Sequence, residues 1–185
     1  RNSHAMAYDS RHHLTVVYGG ADSSNVALDS MWEWNGSVWT QRSLPISPGE
    51  LFGAAMVYDS QRQVLILFGG STSYTVYTSD VWEFDGLMWT RKAPPSRPSE
   101  RNAPALAYDN RRNVAVLFGG FNSTQRTLND TWEWNGTSWT RQLPFNSPTP
   151  RTENRMVFDT LRGHVVMFGG SGGGTTFADT WIYQP

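Results

Sequence analysis

The sequence predicts an all-β protein built from four copies of one structural repeat. Three observations support this prediction: Gly-Gly, an aromatic residue followed by Asp, and a later tryptophan all recur at a spacing of 50 residues. A fixed period of this kind outweighs local secondary-structure signals. The copies fill the chain as one domain, with repeats at 1–50, 51–100, 101–150 and 151–185. The recurring positions are Gly19-Gly20, Gly69-Gly70, Gly119-Gly120 and Gly169-Gly170; Tyr8-Asp9, Tyr58-Asp59, Tyr108-Asp109 and Phe158-Asp159; and Trp32, Trp82, Trp132 and, one residue early, Trp181.

Each repeat is predicted to form four short strands. In the first copy the apolar segments are 5–8, 14–18, 31–34 and 37–40. Short runs rich in Val, Tyr, Phe and Trp between Gly, Asn, Asp and Pro residues are typical of strands. The continuous apolar run Val64–Phe68 predicts a strand covered on both faces. We therefore expect each repeat to be a four-stranded antiparallel meander packed between its neighbours, with the outer strand missing from the fourth copy.

Radial packing of such sheets is the architecture of a β-propeller. The chain resembles the kelch repeat family along its full length. In every copy an apolar strand ends in Gly-Gly and a tryptophan follows, which in the last three copies is part of an Asp-x-Trp motif. The first three copies have a second tryptophan near the end of the blade. The Trp-rich pattern is most similar to bacterial kelch repeats, which implies an extracellular or cell-surface location. Kelch propellers usually have more than four blades, so three arrangements stay open: a closed four-bladed ring, which is favoured, two combined chains, or a piece of a longer chain. The Asp-x-Trp motifs are Asp80–Trp82, Asp130–Trp132 and Asp179–Trp181.

The tryptophans are predicted to be structural. Asn35-Gly36 predicts a two-residue type I′ hairpin turn, and counting outward from that turn places Trp32 opposite Trp39. A residue that recurs in every blade is needed by every blade, which a ligand site seldom requires. The same reasoning assigns the recurring glutamates a structural or solvated role. The equivalent predicted pairs are Trp82–Trp89 and Trp132–Trp139, and the glutamates are Glu33, Glu83 and Glu133.

The composition excludes several classes of function. The net charge is -1 and the arginines are scattered, so no nucleic-acid partner is expected. The chain has no cysteine, which excludes disulfides, thiolate metal sites and cysteine nucleophiles. No apolar stretch approaches the roughly 18 residues that span a bilayer, so we expect no membrane insertion. The histidines are too isolated for a metal site, and no cofactor is predicted.

Long, variable segments point to one rim of the propeller. An up-and-down meander places the first and third turns of a blade at one rim, and the second turn and the link to the next blade at the other. Long loops on a rigid scaffold commonly carry binding. The segments are 21–29, 71–79, 121–129 and 171–178, with links 41–50, 91–100 and 141–150. The candidate binding residues on them are Tyr74, Tyr77, Phe121, Arg126 and Phe177.

Arginines just before the innermost strand form a second group of candidates. In one interpretation these arginines bind a carboxylate or a sugar of a ligand through bidentate hydrogen bonds, with Glu100 beside the site. In the favoured interpretation they form structural ion pairs with nearby glutamates. Leu51 and Phe52 break the pattern in the second copy and suggest an apolar lip on a pocket. The arginines are Arg1, Arg101 and Arg151, and the glutamates are Glu50, Glu100 and Glu153.

The leading functional hypothesis is a non-catalytic binding or assembly module that presents its long loops to a protein or glycan. Self-association through the open edge of the fourth blade is a further expected interaction. The kelch resemblance implies two enzymatic alternatives, galactose oxidase-like enzymes and a sialic acid mutarotase. The first needs a cysteine cross-linked to a tyrosine, which this chain lacks. A sialic acid or aldose mutarotase, using the glutamates and arginines at the mouth, stays open, as does a structural subunit of an extracellular assembly.

Overall fold

A computed structural model describes residues 1–73, 75–124 and 126–185. The regular elements in these ranges are all β-strands, and four small antiparallel sheets are arranged as the blades of a four-bladed β-propeller. The predicted fold class is confirmed. Each blade is a meander whose first strand lies against the first strand of the next blade, around a central channel. The described residues contain no helix that is long and apolar enough to cross a membrane.

The strands keep the repeat of the sequence. Blade four has three strands instead of four, as predicted. Blade one contains β1 (Ala5–Asp9), β2 (Leu14–Tyr18), β3 (Met31–Trp34) and β4 (Trp39–Arg42); blade two contains β5 (Ala55–Asp59), β6 (Val64–Phe68), β9 (Val81–Phe84) and β10 (Trp89–Lys92); blade three contains β11 (Ala105–Asp109), β12 (Val114–Phe118), β15 (Thr131–Trp134) and β16 (Trp139–Gln142); blade four contains β17 (Arg155–Asp159), β18 (His164–Phe168) and β21 (Thr180–Tyr183).

Three of the segments predicted as loops each contain a short hairpin. These hairpins lie between the second and third strands of blades two, three and four. In blade one the same segment has only a single bridge, between Ala21 and Ala27. The hairpins are β7 (Ser71–Ser73) with β8 (Val76–Tyr77), β13 (Phe121–Asn122) with β14 (Arg126–Thr127), and β19 (Ser171–Gly172) with β20 (Thr175–Thr176).

The outer hairpin of each complete blade has a different register from the predicted one. Trp34 pairs with Trp39, and Trp32 pairs with Gln41, so the predicted pairing of Trp32 with Trp39 is wrong by two residues. An even shift keeps side chains on the same face of a sheet, and the Trp34 and Trp39 rings still contact, with centroids 5.5 Å apart. The equivalent pairs in blades two and three are Phe84–Trp89 and Trp134–Trp139, in place of Trp82–Trp89 and Trp132–Trp139.

The cause of the shift is a four-residue loop closed by a side chain. The Asn35 Oδ1 atom accepts hydrogen bonds from the main-chain N–H groups of Ser37 and Val38, at 3.0 and 2.9 Å. Only Gly36 has a positive φ, of 97°, whereas a type I′ turn needs positive φ at both central residues. The Asx side chain therefore stabilises a wider loop than the Asn-Gly dipeptide predicts.

Apolar side chains between successive blades form three buried clusters, at the junctions of blades one and two, two and three, and three and four. We call the side of a blade that faces the next blade its forward face, and the opposite side its backward face. Trp89 on the backward face of blade two packs on Tyr18 of the forward face of blade one, with ring centroids 5.4 Å apart. Trp139 packs on Phe68 in the same way, at 5.0 Å. The tryptophans of the outer strands thus bind one blade to the preceding one.

The recurring glutamates connect blades through hydrogen bonds. Glu83 of blade two accepts a hydrogen bond from the Trp134 indole N–H of blade three at 3.0 Å. Glu133 of blade three accepts one from the Tyr183 hydroxyl of blade four at 2.9 Å. Burial, with the Glu133 carboxylate beside it, raises the pKa of the Tyr183 hydroxyl above its ordinary value. Each of these glutamates also pairs with an arginine of its own blade, so both have a structural role.

Blade four and blade one are not packed together in this way. Phe168, at the repeat position of Tyr18 and Phe68, is 56% exposed, and Trp39, at that of Trp89 and Trp139, is 44% exposed. Across residues 1–73, 75–124 and 126–185, no apolar cluster and no main-chain hydrogen bond joins these two blades. The closed ring favoured by the sequence is therefore not formed by these contacts, and the forward face of blade four and the backward face of blade one are uncovered.

Candidate binding rim

The long connections lie together at one rim, as the meander predicted. We call this surface, formed by segments 19–30, 69–80, 119–130 and 169–179 with the links that follow the first three of these blades, the long-loop rim. The main-chain N–H of Gly20 donates to the Leu51 carbonyl at 2.7 Å, and the Leu51 N–H donates to the Leu28 carbonyl at 3.1 Å. Each link is therefore fixed to the loop of the preceding blade. The equivalent sets are Gly70, Arg101 and Thr78, and Gly120, Arg151 and Leu128.

Arg101 is fully buried and its guanidinium is saturated with hydrogen bonds. Its two terminal nitrogens donate to the two carboxylate oxygens of Asp130 at 2.7 and 2.9 Å. The remaining N–H groups donate to the Gly119 carbonyl and to the carbonyl and hydroxyl oxygens of Ser99. An arginine has five N–H donors, and all are engaged here. Burial acts against ionisation of Asp130, but the hydrogen bonds and charge of Arg101 hold the pKa of that carboxyl below its ordinary value.

Arg151 repeats the arrangement in blade four. Its guanidinium binds both carboxylate oxygens of Asp179, the Gly169 carbonyl, and the carbonyl and hydroxyl oxygens of Thr149. The Phe177 ring lies over it, with the guanidinium carbon 4.0 Å from the ring centroid, a cation–π contact. The bound arginine holds the pKa of Asp179 well below its ordinary range. Arg101 and Arg151 thus fix the two blades, and Phe177 is part of that arrangement.

The partners of these arginines differ from the expected ones. Among the described residues, no ion pair joins Arg1, Arg101 or Arg151 to Glu50, Glu100 or Glu153. The carboxylate comes instead from the Asp of the Asp-x-Trp motif, which lies across the blade. Arg1 is exposed and donates to the Ser30 hydroxyl at 2.5 Å, because blade one has serine at this position. Glu100 is half-buried, and Glu50 and Glu153 are exposed.

Leu51 does not form a lip on a pocket. Its side chain is buried in the apolar cluster between blades one and two. Because no arginine occupies this position, Asp80 pairs instead with the exposed Arg91, at 2.7 Å. The break in the repeat therefore changes the core and leaves no opening at Leu51.

The structure brings two of the candidate rim residues, Tyr77 and Phe121, into contact, and it places a third, Arg126, on the hairpin that carries Phe121. The rings of Tyr77 and Phe121 meet across blades two and three, with centroids 5.9 Å apart and planes at 80°. Both side chains are half-buried. Arg126 is exposed on the same short hairpin as Phe121 and has a positive φ of 63°. Tyr74, the remaining candidate, lies outside the described residues. Tyr77, Phe121 and Arg126 form what we call the aromatic patch.

A row of main-chain hydrogen bonds runs along the mouth of the central channel from blade one to blade four. The Gly53 N–H donates to the Ser3 carbonyl at 2.7 Å, Ala103 to Gly53 at 2.7 Å, and Glu153 to Ala103 at 3.2 Å. All four residues have positive φ, between 47° and 66°, which is uncommon for residues other than glycine. In the sequence only Gly53 signals this feature, since glycine alone adopts a positive φ readily.

The central channel is lined by the innermost strands and encloses about 630 Å³. That volume is within the range of small-molecule pockets, about 300–1,000 Å³. The described lining residues include no carboxylate. His4 lies at the mouth, where burial and the charge of Arg1 lower the pKa of its imidazole. The channel thus offers apolar surface, the guanidinium of Arg155 and a few hydrogen-bonding groups, among them His4 and Asn154.

No family model and no curated protein sequence matches this chain. The resemblance to kelch repeats therefore stays a prediction that rests on the repeated residues themselves. The propeller architecture, in contrast, is shown by the arrangement of the sheets.

Proposed function

We propose that this protein is a non-catalytic binding module that presents the aromatic patch on its long-loop rim to a protein or glycan partner. The observation that carries the proposal is the contact of Tyr77 with Phe121 across two blades; the exposed Arg126 lies on the same short hairpin as Phe121. Tyrosine and arginine are among the residues that dominate the binding energy of protein interfaces, and phenylalanine is enriched in interface cores. An extracellular or cell-surface location, implied by the resemblance to kelch repeats, belongs to the same proposal.

The scaffold beneath the patch supports a preformed surface. The hairpin that carries Phe121 is paired with the link preceding blade three through the bridge between Asn102 and Phe121. The neighbouring Arg101 is fixed by five hydrogen bonds. Side chains held in place before binding lose less conformational entropy when a partner docks. Rigid loops with unequal sequences are thus suited to specific recognition.

The geometry gives less support to the mutarotase alternative. That activity would use arginines at the mouth, and Arg101 and Arg151 have their donors engaged by Asp130 and Asp179. The lining of the channel also lacks a carboxylate among the described residues. We expect no acceleration of the anomerisation of sialic acid or an aldose, as followed by NMR. A rate above that in buffer, lost in Glu153→Gln, would restore the enzymatic interpretation.

The binding proposal is tested by comparing two variants on opposite rims. Tyr77→Ala/Phe121→Ala/Arg126→Ala removes the patch, whereas Leu87→Ala/Met88→Ala removes exposed apolar side chains from the opposite rim. Ligands are collected with the unmodified chain from a glycan array and from extracellular proteins of the source organism. We expect the first variant to lose at least tenfold in affinity and the second to bind normally, with both folded by circular dichroism. Unchanged binding by the triple variant would reject this surface.

A further inference from the structure

We propose that the forward face of blade four binds the backward face of blade one of a second copy of this chain, and that two copies close a ring of eight blades by making this contact twice. The contact is the interblade junction that the chain already forms three times within itself. It involves the faces of the sheets and does not depend on the long-loop rim.

The uncovered forward face of blade four keeps apolar residues at most of the positions that are covered in the other blades; Arg155, the cross-strand partner of Phe168, stands where those blades have alanine. In blades one to three, the aromatic residue that ends the second strand is at most 4% exposed, whereas Phe168 at the same position is 56% exposed. Around it, Val157 and Ile182 are also exposed. A monomer rarely leaves a contiguous apolar surface of this kind open to water unless a partner covers it. The residues equivalent to Phe168 are Tyr18, Phe68 and Phe118.

The backward face of blade one is the matching half. Met6 is 56% exposed, whereas its equivalent Met56 is buried at the junction of blades one and two. Trp39 is the counterpart of Trp89 and Trp139, which pack on the aromatic ring of the preceding blade. Trp39 of one copy thus has the position needed to pack on Phe168 of the other.

A tyrosine of one blade and an aspartate of the preceding blade are also matched across the junctions. At the junction of blades one and two the Tyr58 hydroxyl lies beside the Asp9 carboxylate, and at the next junction Tyr108 lies beside Asp59; burial and the neighbouring carboxylate raise the pKa of each tyrosine. In blade one the equivalent Tyr8 is exposed, and its hydroxyl is 3.3 Å from the His13 Nδ1 atom of its own blade. Asp159 of blade four is its expected acceptor in the second copy.

A second copy fits these two faces better than other occupants. The two faces are different surfaces, and each is complementary to the other, so the contact is head-to-tail. Such contacts form closed assemblies only when rotation brings the last face back to the first. Two four-bladed chains give eight blades, within the usual range of about 4–8 for propellers, and leave neither face uncovered.

Engineered disulfides test which two faces meet. The mouth hydrogen bonds join Ser3 to Gly53, Gly53 to Ala103, and Ala103 to Glu153, so the proposed junction places Ser3 of one copy next to Glu153 of the other. The chain has no cysteine, so Ser3→Cys/Glu153→Cys is a clean reporter. We expect covalent dimers under mild oxidation, and none from Ser37→Cys/Glu153→Cys. Disulfides formed within one chain would show that it closes by itself, and no disulfide would show that the faces do not meet; either result overturns the proposal.

Sedimentation of complementary variants tests the head-to-tail arrangement. We expect the unmodified chain and Leu87→Arg, a change in an exposed loop, to be dimers. Trp39→Arg and Phe168→Arg should each be monomers, because each damages both junctions of its homodimer. Their equimolar mixture should regain dimers, because one junction then has both native faces. Monomeric unmodified protein, or a Trp39→Arg dimer joined through the free edge of β21, would reject the proposal.

Discussion

Trp139 packs on Phe68 of the preceding blade, with ring centroids 5.0 Å apart and planes at 60°. The contact is made by the outermost strand of one blade and the second strand of another. It stabilises the arrangement of blades as well as the hairpin that carries the tryptophan. The same tryptophan position is buried in blades two and three and exposed in blade one. The exposed copy therefore serves as a control for substitutions of the buried ones.

Replacing the buried and exposed copies of this tryptophan should have unequal effects. Trp139→Ala removes a ring that is 3% exposed, and truncating a buried tryptophan costs about 3–5 kcal/mol in the free energy of unfolding. Trp39→Ala, at 44% exposure, should cost about 1–2 kcal/mol in the monomer. Urea unfolding at a concentration where the chain is monomeric measures both values. Equal losses would contradict a packing role that depends on the preceding blade.

The aspartates of the Asp-x-Trp motifs should also differ between blades. Asp130→Asn leaves the buried Arg101 without its counter-charge, and breaking a buried pair costs about 3–5 kcal/mol. Asp80→Asn breaks only the pair with the exposed Arg91, worth about 0–1 kcal/mol. The two changes are chemically identical and occupy the same repeat position. Denaturant titration of both variants checks the prediction, which fails if Asp80→Asn is as destabilising as Asp130→Asn.

The stability of the propeller should fall in acid. The pKa of Asp130 is held below the ordinary 3.8 by Arg101, against the opposing effect of burial, and hydrogen bonds from His12 lower the pKa of Asp9 in the same way. A carboxyl with a depressed pKa in the folded state takes up protons more readily when unfolded, so its stabilisation is present above pH 3.8 and lost as the pH falls below it. Urea midpoints from pH 7 to pH 3 should therefore decrease at the acidic end. Asp159→Asn, which removes another depressed carboxyl, should weaken the dependence, and a midpoint independent of pH would contradict this account.

The outer loops should tolerate aspartate but not alanine at the Asx position. Asn135 Oδ1 accepts hydrogen bonds from the N–H groups of Thr137 and Ser138, both at 2.9 Å. In blade two Asp85 accepts the same two bonds, from Leu87 and Met88 at 2.8 Å. Asn135→Asp should therefore change the free energy of unfolding by less than about 0.5 kcal/mol, whereas Asn135→Ala should cost about 1 kcal/mol. Thermal unfolding of the two variants decides whether the loop depends on this acceptor.

The period of the sequence was sufficient to predict the number of blades and the strands within them. The register of the outer hairpin was not predictable from Asn35-Gly36 alone, since the dipeptide favours two types of loop and the side-chain hydrogen bonds of Asn35 decide between them. The order of strands and the two rims followed from short connections, which force neighbouring strands to pair.

The roles of the arginines depend on how deeply their side chains are buried, and burial cannot be read from the sequence. Arg101 and Arg151 were expected near the mouth, and only the fold shows that Asp130 and Asp179 lie within reach of them. A signal was nevertheless present. Arg101 is followed by its aspartate after 29 residues, and Arg151 after 28 because the fourth repeat is one residue shorter, whereas Arg1 has Ser30 at the equivalent position. Tyr77 and Phe121 belong to different blades and are distant in the sequence, so no local pattern predicts their contact.

The hydrogen bonds at the channel mouth fix the distance between blades without using any side chain. They join main-chain groups of Ser3, Gly53, Ala103 and Glu153, so the distance between blades at this point does not depend on which side chains are present. A hydroxyl, a methyl and a carboxylate already occupy equivalent positions there. Side chains at the mouth can therefore be exchanged for new charges or hydrogen-bonding groups while the four blades stay in register, which makes this row of residues the natural place to introduce a new ligand specificity.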